Sequence, residues 1–171
     1  MTVSKPRKSA TVWMSGGYTH DDLKLSTAVI RERLSTLTEI QIEFQAKKKQ
    51  LDLSTMVGRN LTVHVSQDGQ EGNGRMFTGT CISAEVLDSE ESTDDKYLAE
   101  VRPWFWMLTL TRNNRVFQEM TVKEIIEDVL QQHGFNAFMK MNTSTSYAKR
   151  NYCVQYRESD FDFLSRLMEE E

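Results

Sequence analysis

The chain has 171 residues, 39% of them hydrophobic and 27% charged, which suits one globular domain or two small ones. Its net charge of −4 provides no positive field that would attract nucleic acid. No apolar run approaches the roughly 20 residues of a membrane span, and none follows the basic start as it would in a secretory signal. The sequence therefore argues against nucleic-acid binding, a membrane span and a secretory signal.

Strands are predicted over much of the first part of the chain. The clearest pattern lies in residues 38–46, where apolar side chains at Ile40, Ile42 and Phe44 alternate with polar ones. Residues 60–66 alternate in the same way, so His64 is predicted on the solvent-exposed face of its strand. Further strands are predicted at residues 23–30, 75–87 (with an interruption near Gly79) and 97–103.

The segments between these strands indicate connections rather than ligand sites. Residues 51–59 predict a short helical turn that begins after Asp52 and stops at Gly58. Residues 67–75 hold three glycines, but strands on both sides predict a hairpin loop and not a phosphate cradle. Residues 88–96 hold five acids without calcium-loop spacing, so a solvated loop is predicted there as well.

Residues 104–111, WFWMLTLT, fit both a strand and a helix by their apolar period. Pro103 suits the first position of a helix, which favours a short buried helix here. Two tryptophans, Trp104 and Trp106, could stack on a base or a sugar. Because their neighbours are also apolar, we interpret both as core residues.

A helix from residue 121 has clear signals at both ends. Thr121 and Glu124 form a capping box, Gly134 predicts the stop, and His133 is predicted to favour the negative end of the helix dipole. The apolar stripe of this helix consists of Val122, Ile125, Ile126, Val129 and Leu130.

Residues 135–171 predict a strand and polar loop over 135–151, a strand over 152–156 and a final helix. Ser159 caps that helix, with Asp162 three residues later. Its apolar stripe is predicted from Phe161, Leu164 and Met168, with Phe163 and Leu167 beside it. Three glutamates, 169–171, end the chain where the helix dipole disfavours negative charge, so a partner or further chain is expected to offset them.

No catalytic constellation is recognisable in the sequence. The three histidines, His20, His64 and His133, lie in unrelated segments, and no nucleophile, phosphate-loop or metal-ligand spacing occurs. Cys81 and Cys153 are interpreted as buried, reduced thiols. The sequence thus predicts a protein without catalytic residues, cofactor or metal. Its mixed helices and strands, without a regular βαβ rhythm, predict an α+β fold with antiparallel strands.

Residues 102–135 together with 152–171, which contain YRESDFDFLSRLMEEE, resemble the valine-glycine repeat spike proteins of type VI secretion systems. Those proteins share a fold with the hub of contractile phage tails and with phage late control protein D. The residues that carry the resemblance are Arg102, Pro103, Trp104, Thr121, Glu124, Gly134, Tyr156, Arg157, Glu158, Ser159, Asp160, Phe161 and Phe163.

The resemblance implies a mostly antiparallel, tube-like β-barrel with two or three short helices. Residues 1–22 would be a polar extension, 23–115 the barrel, and 116–171 the start of a second hub domain. Because family members continue past this point, the resemblance also implies a truncated hub.

The function implied by the resemblance is structural: a component of a trimeric spike or hub that docks on the tube ring. Baseplate components would be further partners, and a tip protein and effectors would attach through carboxy-terminal parts of the family. Such a protein assembles in the bacterial cytoplasm and leaves the cell when the apparatus fires. A phage tail hub and a stand-alone adaptor module derived from the hub remain alternatives.

Overall fold

The computed structural model describes the backbone of residues 9–14 and, beyond it, residues 23–47, 51–66, 74–88, 94–135, 140, 142 and 146–171. The chain divides into two compact units, Met1–Trp104 and Phe105–Glu171. The predicted boundary at residue 115 falls inside a strand of the second unit, so residues 105–115 belong with the part that follows them. His20 and the strand predicted directly after Phe135 lie outside the described residues.

The first unit is a six-stranded antiparallel sheet. Its strands are β1 (Ser9–Met14), β2 (Lys24–Arg31), β3 (Glu39–Lys47), β4 (Asn60–Ser66), β5 (Gly74–Asp88) and β6 (Asp94–Arg102). Their order in the sheet is β1-β4-β5-β6-β3-β2. The two outer strands, β1 and β2, also approach each other, so the sheet curls towards a barrel. The antiparallel β fold expected from the sequence is confirmed.

Strand β1 corrects the interpretation of residues 1–22 as an extension. It pairs with β4 along its whole length, and Val12 lies opposite Val63. This pairing joins residues about fifty positions apart, as the register shows. A local pattern in the sequence cannot indicate such a partner, because the partner strand defines the element.

The core of the first unit lies on one face of the strands. Strand β3 contributes Ile40, Ile42 and Phe44, as its alternation predicts, and the Phe44 ring stacks on Tyr97 with 5.4 Å between centroids. The other buried apolar residues of this unit are Leu23, Ala46, Met56, Leu61, Val63, Cys81, Ala99 and Val101. Burial of these side chains is the main favourable contribution to folding of the sheet.

The prediction for His64 is wrong, since only 2% of this residue is exposed. It lies in β4 between β1 and β5, opposite Thr11 on one side and Met76 on the other. Alternation gives the face on which a side chain stands. It does not reveal whether that face is covered, which is why the prediction failed.

Gly79 does not interrupt β5, contrary to expectation. The strand continues through it, and its register shifts later, between Cys81 and Ser83 and between Val86 and Asp88. A Cβ atom at position 79 would lie 2.3 Å from the carbonyl oxygen of Arg102. Glycine is therefore required here because the backbone of β6 approaches closely.

The connections agree with the sequence where the structure describes them. A 3-10 helix, Leu53–Thr55, follows Asp52, whose carboxylate accepts a hydrogen bond from the Ser54 N–H. Gly58 has a φ of +87° and ends this turn. Strands β4, β5 and β6 pair as successive antiparallel neighbours, although most of the loops predicted at 67–75 and 88–96 lies outside the described residues.

The second unit combines a two-stranded ribbon with two helices. A 3-10 helix, Trp104–Leu110, leads into β7 (Arg112–Met120), α1 (Val122–Gln132), β8 (Arg150–Ser159) and α2 (Asp160–Glu169). The helix expected at residues 104–111 is thus confirmed, as is the capping box of α1. The predicted burial of this 3-10 helix is wrong, since only Leu108 is buried and Trp104 and Trp106 are half-buried, not core residues. All five stripe residues of α1 are buried. No helix among the described residues has the length and apolar character needed to cross a membrane.

Helix α2 buries a different face from the predicted one. Phe163, Leu164 and Leu167 have no exposed surface, whereas Met168 is 51% exposed. Phe163 stacks on Phe117 of β7 at 5.6 Å between centroids. The sequence could not decide between the two stripes, because apolar residues occupy both.

The glutamates at the end of α2 form ion pairs with arginines of the second unit. The Arg150 guanidinium lies 2.7 Å from Glu170 Oε2 and 3.0 Å from Glu171 Oε1, and Arg166 lies 3.4 Å from Glu170 Oε1. Hydrogen bonding from Arg150 lowers the pKa of Glu170. The offset that was expected from a partner or further chain therefore comes in part from β8 and α2.

Candidate functional site

The second unit contains a fully buried carboxylate, that of Asp160. This residue is the first of α2 and has no exposed surface. The preceding residue, Ser159, has an extended backbone and accepts a hydrogen bond from the Asp162 N–H at 3.0 Å. The N-cap thus fixes the point where the chain turns from β8 into α2, and it places Asp160 between the strands and the helices.

Side chains from several elements donate to this carboxylate. The donors, with their shortest distances to an Asp160 oxygen, are Thr111 Oγ1 (3.0 Å), Asn113 Nδ2 (3.0 Å), Arg115 Nη1 (2.9 Å) and Gln155 Nε2 (2.7 Å). His133 Nε2 lies 2.6 Å from Oδ2. We call Asp160 and these five residues the Asp160 cluster. Its members belong to β7, β8, the start of α2, the end of α1 and the residue before β7.

Both carboxylate oxygens are saturated. Oδ1 accepts from Asn113, Arg115 and Gln155, and Oδ2 lies within hydrogen-bond distance of Thr111, Asn113, Arg115 and His133. An ionised carboxylate offers about four lone-pair directions. No acceptor position is therefore left for a substrate or a water, and the cluster is suited to holding elements together.

The charge of Asp160 is stabilised by these donors. Burial by itself favours the neutral acid, but the hydrogen bonds from Gln155, Asn113, His133 and Thr111 outweigh it. The pKa of Asp160 is consequently well below that of an ordinary carboxyl group. The carboxylate remains ionised at neutral pH although it is buried.

The donors are themselves held in place. Arg115 Nη1 donates to Gln155 Oε1 at 3.2 Å, and Gln155 Nε2 donates to the Glu158 carbonyl at 3.2 Å. The Asp160 N–H donates to the Thr111 carbonyl at 3.2 Å, which ties the start of α2 to the residue before β7. The cluster is thus a connected network, in which loss of one member disturbs several others.

His133 does more than the sequence predicts. It was predicted in the last turn of α1 and lies just after it as the C-cap, and its ring stacks on Phe135 at 5.8 Å between centroids. Its Nε2 also forms a hydrogen bond with Asp160 Oδ2, so the end of α1 is joined to the start of α2. Gly134 follows with a φ of +74°, which confirms the predicted stop.

The structure brings only part of the residues that carry the resemblance close to the cluster. Ser159, Asp160 and Phe161 begin α2, and Phe161 meets Phe105 edge-to-face at 5.5 Å. Phe163 lies in the core of the same unit, and Glu158 pairs with Arg166 at 2.7 Å. 

Other residues of that set lie elsewhere. Thr121 and Glu124 cap the far end of α1, and Tyr156 is 65% exposed on β8, next to the exposed Arg157. Arg102 pairs with Glu39 in the first unit at 3.2 Å, and half-buried Pro103 and Trp104 follow it.

Four members of the cluster were not predicted from the sequence: Thr111, Asn113, Arg115 and Gln155. Two of them share a face of β7, because Asn113 and Arg115 lie two positions apart. Polar residues on the face that also carries the buried Phe117 were the signal available. Without knowledge of the partner strand, that signal does not indicate a carboxylate.

Elsewhere in the described residues, no group of three histidine, cysteine or acidic side chains could hold a metal ion. Cys81 and Cys153 are buried free thiols. Burial raises the pKa of Cys81 to about 11, although a backbone hydrogen bond from Ser83 lowers it in part. A thiol with this pKa is a poor nucleophile at neutral pH.

Comparison with protein families matches residues 31–171 to the phage tail baseplate hub (GPD) family. This range contains the whole Asp160 cluster. The type VI secretion system spike protein VgrG1a of Pseudomonas aeruginosa is 35% identical over 151 residues, which are 88% of this chain and 23% of the relative. The chain thus spans about a quarter or less of the length of the curated relatives it matches.

Solved structures show the same fold. The Escherichia coli c3393 protein, described as a type VI secretion component similar to the T4 tail proteins gp27 and gp5, gives a TM-score of 0.77 at 24% identity. The match covers 93% of this chain and 42% of that one. A 43 kDa tail protein of prophage MuSo2 from Shewanella oneidensis gives 0.65 at 15% identity, covering 96% of this chain and 48% of its own.

Substitution Asp160→Asn is expected to destabilise the second unit by about 3–5 kcal/mol, because it removes the charge that Arg115 and the other donors surround. Urea unfolding followed by circular dichroism measures this change. Glu169→Gln is the matched control, since it removes one exposed negative charge from the same helix. Equal stability of Asp160→Asn and Glu169→Gln would contradict the structural role of the cluster.

The stabilisation by Asp160 is expected to depend on pH. Because the folded pKa is depressed, the contribution is fully present above the ordinary carboxyl pKa of about 4 and is lost as pH falls below it. The stability difference between the parent and Asp160→Asn should therefore shrink between about pH 4 and pH 3, by up to about 1.4 kcal/mol per pH unit. A difference that stays constant over this range in urea unfolding would count against an ionised Asp160.

Proposed function

The chain belongs to the phage tail baseplate hub family, and we propose that it is a structural part of the trimeric spike or hub of a type VI secretion apparatus. The observation that carries the proposal is the 35% identity to a type VI spike protein over 88% of the chain. The similarity to a type VI component at a TM-score of 0.77 supports the corresponding fold. In this proposal the chain works by holding neighbours in position.

The first unit would be the part that meets the tube. Its six antiparallel strands curl towards a barrel, with a continuous apolar core from β3, β4 and β6. A tube-like barrel of this kind could stack on the tube ring and match its subunits.

The second unit would supply rigidity. A buried ionic network resists small displacements, because moving any element away from Asp160 leaves a buried charge without its donors. Rigid elements are what a spike that transmits force requires. The Asp160 cluster is therefore proposed as a structural fastener of the hub and not as a catalytic site.

Further partners are proposed from family membership. Baseplate components would surround the hub, and a tip protein and effectors would attach through parts of the longer relatives that lie beyond the matched segment. The hub would assemble in the bacterial cytoplasm and be injected or secreted when the apparatus fires. We propose that this chain has no enzymatic role, which the commitment of its buried carboxylate to structural bonds supports.

A contractile phage tail hub is the second candidate function. The matched family carries the description of a phage tail baseplate hub, so the same architecture would serve a phage tail. A stand-alone adaptor module derived from the hub is a third. These candidates share the fold and differ in the particle that holds the chain.

The proposal predicts that sheath assembly requires this protein. In a strain of the source bacterium from which other genes of the family have been removed, in-frame deletion of codons 23–171 should abolish fluorescent sheath foci. Release of tube protein into the medium should stop as well. Return of the parental gene should restore both, and Glu169→Gln should behave like the parent.

Two outcomes would speak against the type VI assignment. Unchanged sheath foci and unchanged tube release in the deletion strain would overturn it. Loss of tailed particles from induced lysates, with sheath foci unchanged, would favour the phage hub instead.

A further inference from the structure

The β7–β8 ribbon exposes an apolar face to solvent. The outward side chains are Arg112, Asn114, Val116 and Gln118 from β7 and Tyr152, Val154 and Tyr156 from β8. With Arg157 we call them the outer ribbon face. Val116 lies directly opposite Val154, and the tyrosines flank this pair opposite Gln118 and Asn114. Val116, Tyr152 and Tyr156 are each more than 60% exposed.

The two faces of the ribbon have the reverse of the usual pattern. A half-buried antiparallel sheet normally places apolar residues inside and polar residues outside. Here the inner face carries Asn113, Arg115 and Gln155 of the Asp160 cluster, beside Phe117 and Cys153. Since donors for Asp160 occupy the inner positions, the structure explains the polar inner face. It gives no internal reason for valines and tyrosines on the outer one.

The backbone presents one end of this face in a strained conformation. Arg157 has a φ of +52° and forms a bulge, because Asn113 and Asn114 pair with Glu158 and Tyr156. Its N–H donates to Asn114 Oδ1 at 3.0 Å, which fixes the bulge. The Arg157 guanidinium lies over the Tyr156 ring at 5.2 Å from the centroid. Bulges of this kind re-aim side chains and often lie at functional positions.

The charge of the outer ribbon face is positive. Arg112 and Arg157 both lie at the end that contains the bulge. Among the residues that the structure describes, neither guanidinium forms an ion pair with a carboxylate. By contrast, Arg115, Arg150 and Arg166 in the same unit are all paired. The unpaired arginines favour an acidic partner.

We propose that the outer ribbon face is a docking surface for an acidic amphipathic helix of another protein. Each strand of the ribbon occupies about 4.8 Å, so two strands are about 10 Å wide, which matches the roughly 10 Å diameter of one helix. The apolar stripe of the partner helix would cover Val116 and Val154, with Tyr152 and Tyr156 on either side of it. Carboxylates of the partner helix would pair with Arg112 and Arg157. A second copy of the chain that presents the same face is not the occupant, because two such faces would bring unpaired arginines and no carboxylate to the contact.

A pair of synthetic helical peptides tests this proposal. Both have about 18 residues, roughly five turns, with one leucine stripe. The first carries glutamate beside the stripe and the second lysine at the same positions. Fluorescence anisotropy with the full chain should show binding of the acidic peptide, at least about tenfold tighter than the basic one.

Variants locate the binding site. Val154→Lys should abolish binding of the acidic peptide, and Arg112→Glu with Arg157→Glu should reverse the preference between the two peptides. Leu34→Asp is the matched control, because Leu34 is 96% exposed in the first unit and should not affect binding. Unchanged circular dichroism of each variant checks that the fold is kept.

Three results would overturn the proposal. In the first, neither peptide binds. In the second, both bind alike, which indicates an unspecific apolar surface. In the third, sedimentation shows that the parental chain self-associates and that Val154→Lys prevents it, which makes a second copy the occupant.

Discussion

The hydrogen bonds that converge on the Asp160 carboxylate determine how the second unit is built. They fasten β7, β8 and the ends of α1 and α2 to one point, so these elements keep a fixed arrangement. The apolar contacts of Phe163, Leu164 and Leu167 add burial around that point. Apolar burial is non-directional and permits several packing arrangements. Hydrogen bonds to an ionised carboxylate are directional, so they permit few alternative arrangements of the elements.

The polar inner face of the ribbon follows from the same buried charge. Residues that donate to Asp160 use inward positions of β7 and β8, and the apolar residues of these strands lie largely on the other side. One buried charge thus accounts both for the rigidity proposed for the hub and for the polar side chains on the inner face of the ribbon. The first unit needs no such charge, because alternating strands provide a continuous apolar core.

Local signals in the sequence predicted local structure well. The capping box of Thr121 and Glu124, the cap at Ser159 and the alternation in β3 each involve residues close in the chain, and the structure confirms them. Features that depend on distant partners were not predictable. His64 is buried although its position in the alternation predicted exposure, β1 is defined by its pairing with β4, and Thr111 reaches Asp160 across 49 positions. The Asp160 cluster therefore emerges only when the strands are paired.

Native-state hydrogen exchange of the parent and of Asp160→Asn tests the central claim most directly. If the carboxylate fastens the second unit, the substitution should lower the protection of backbone amides in β7, α1, β8 and α2 together and by a similar amount. Amides of the first unit, such as those of β3 and β6, serve as the internal reference. Loss of protection confined to the first turn of α2, with β7 and α1 unchanged, would contradict the account.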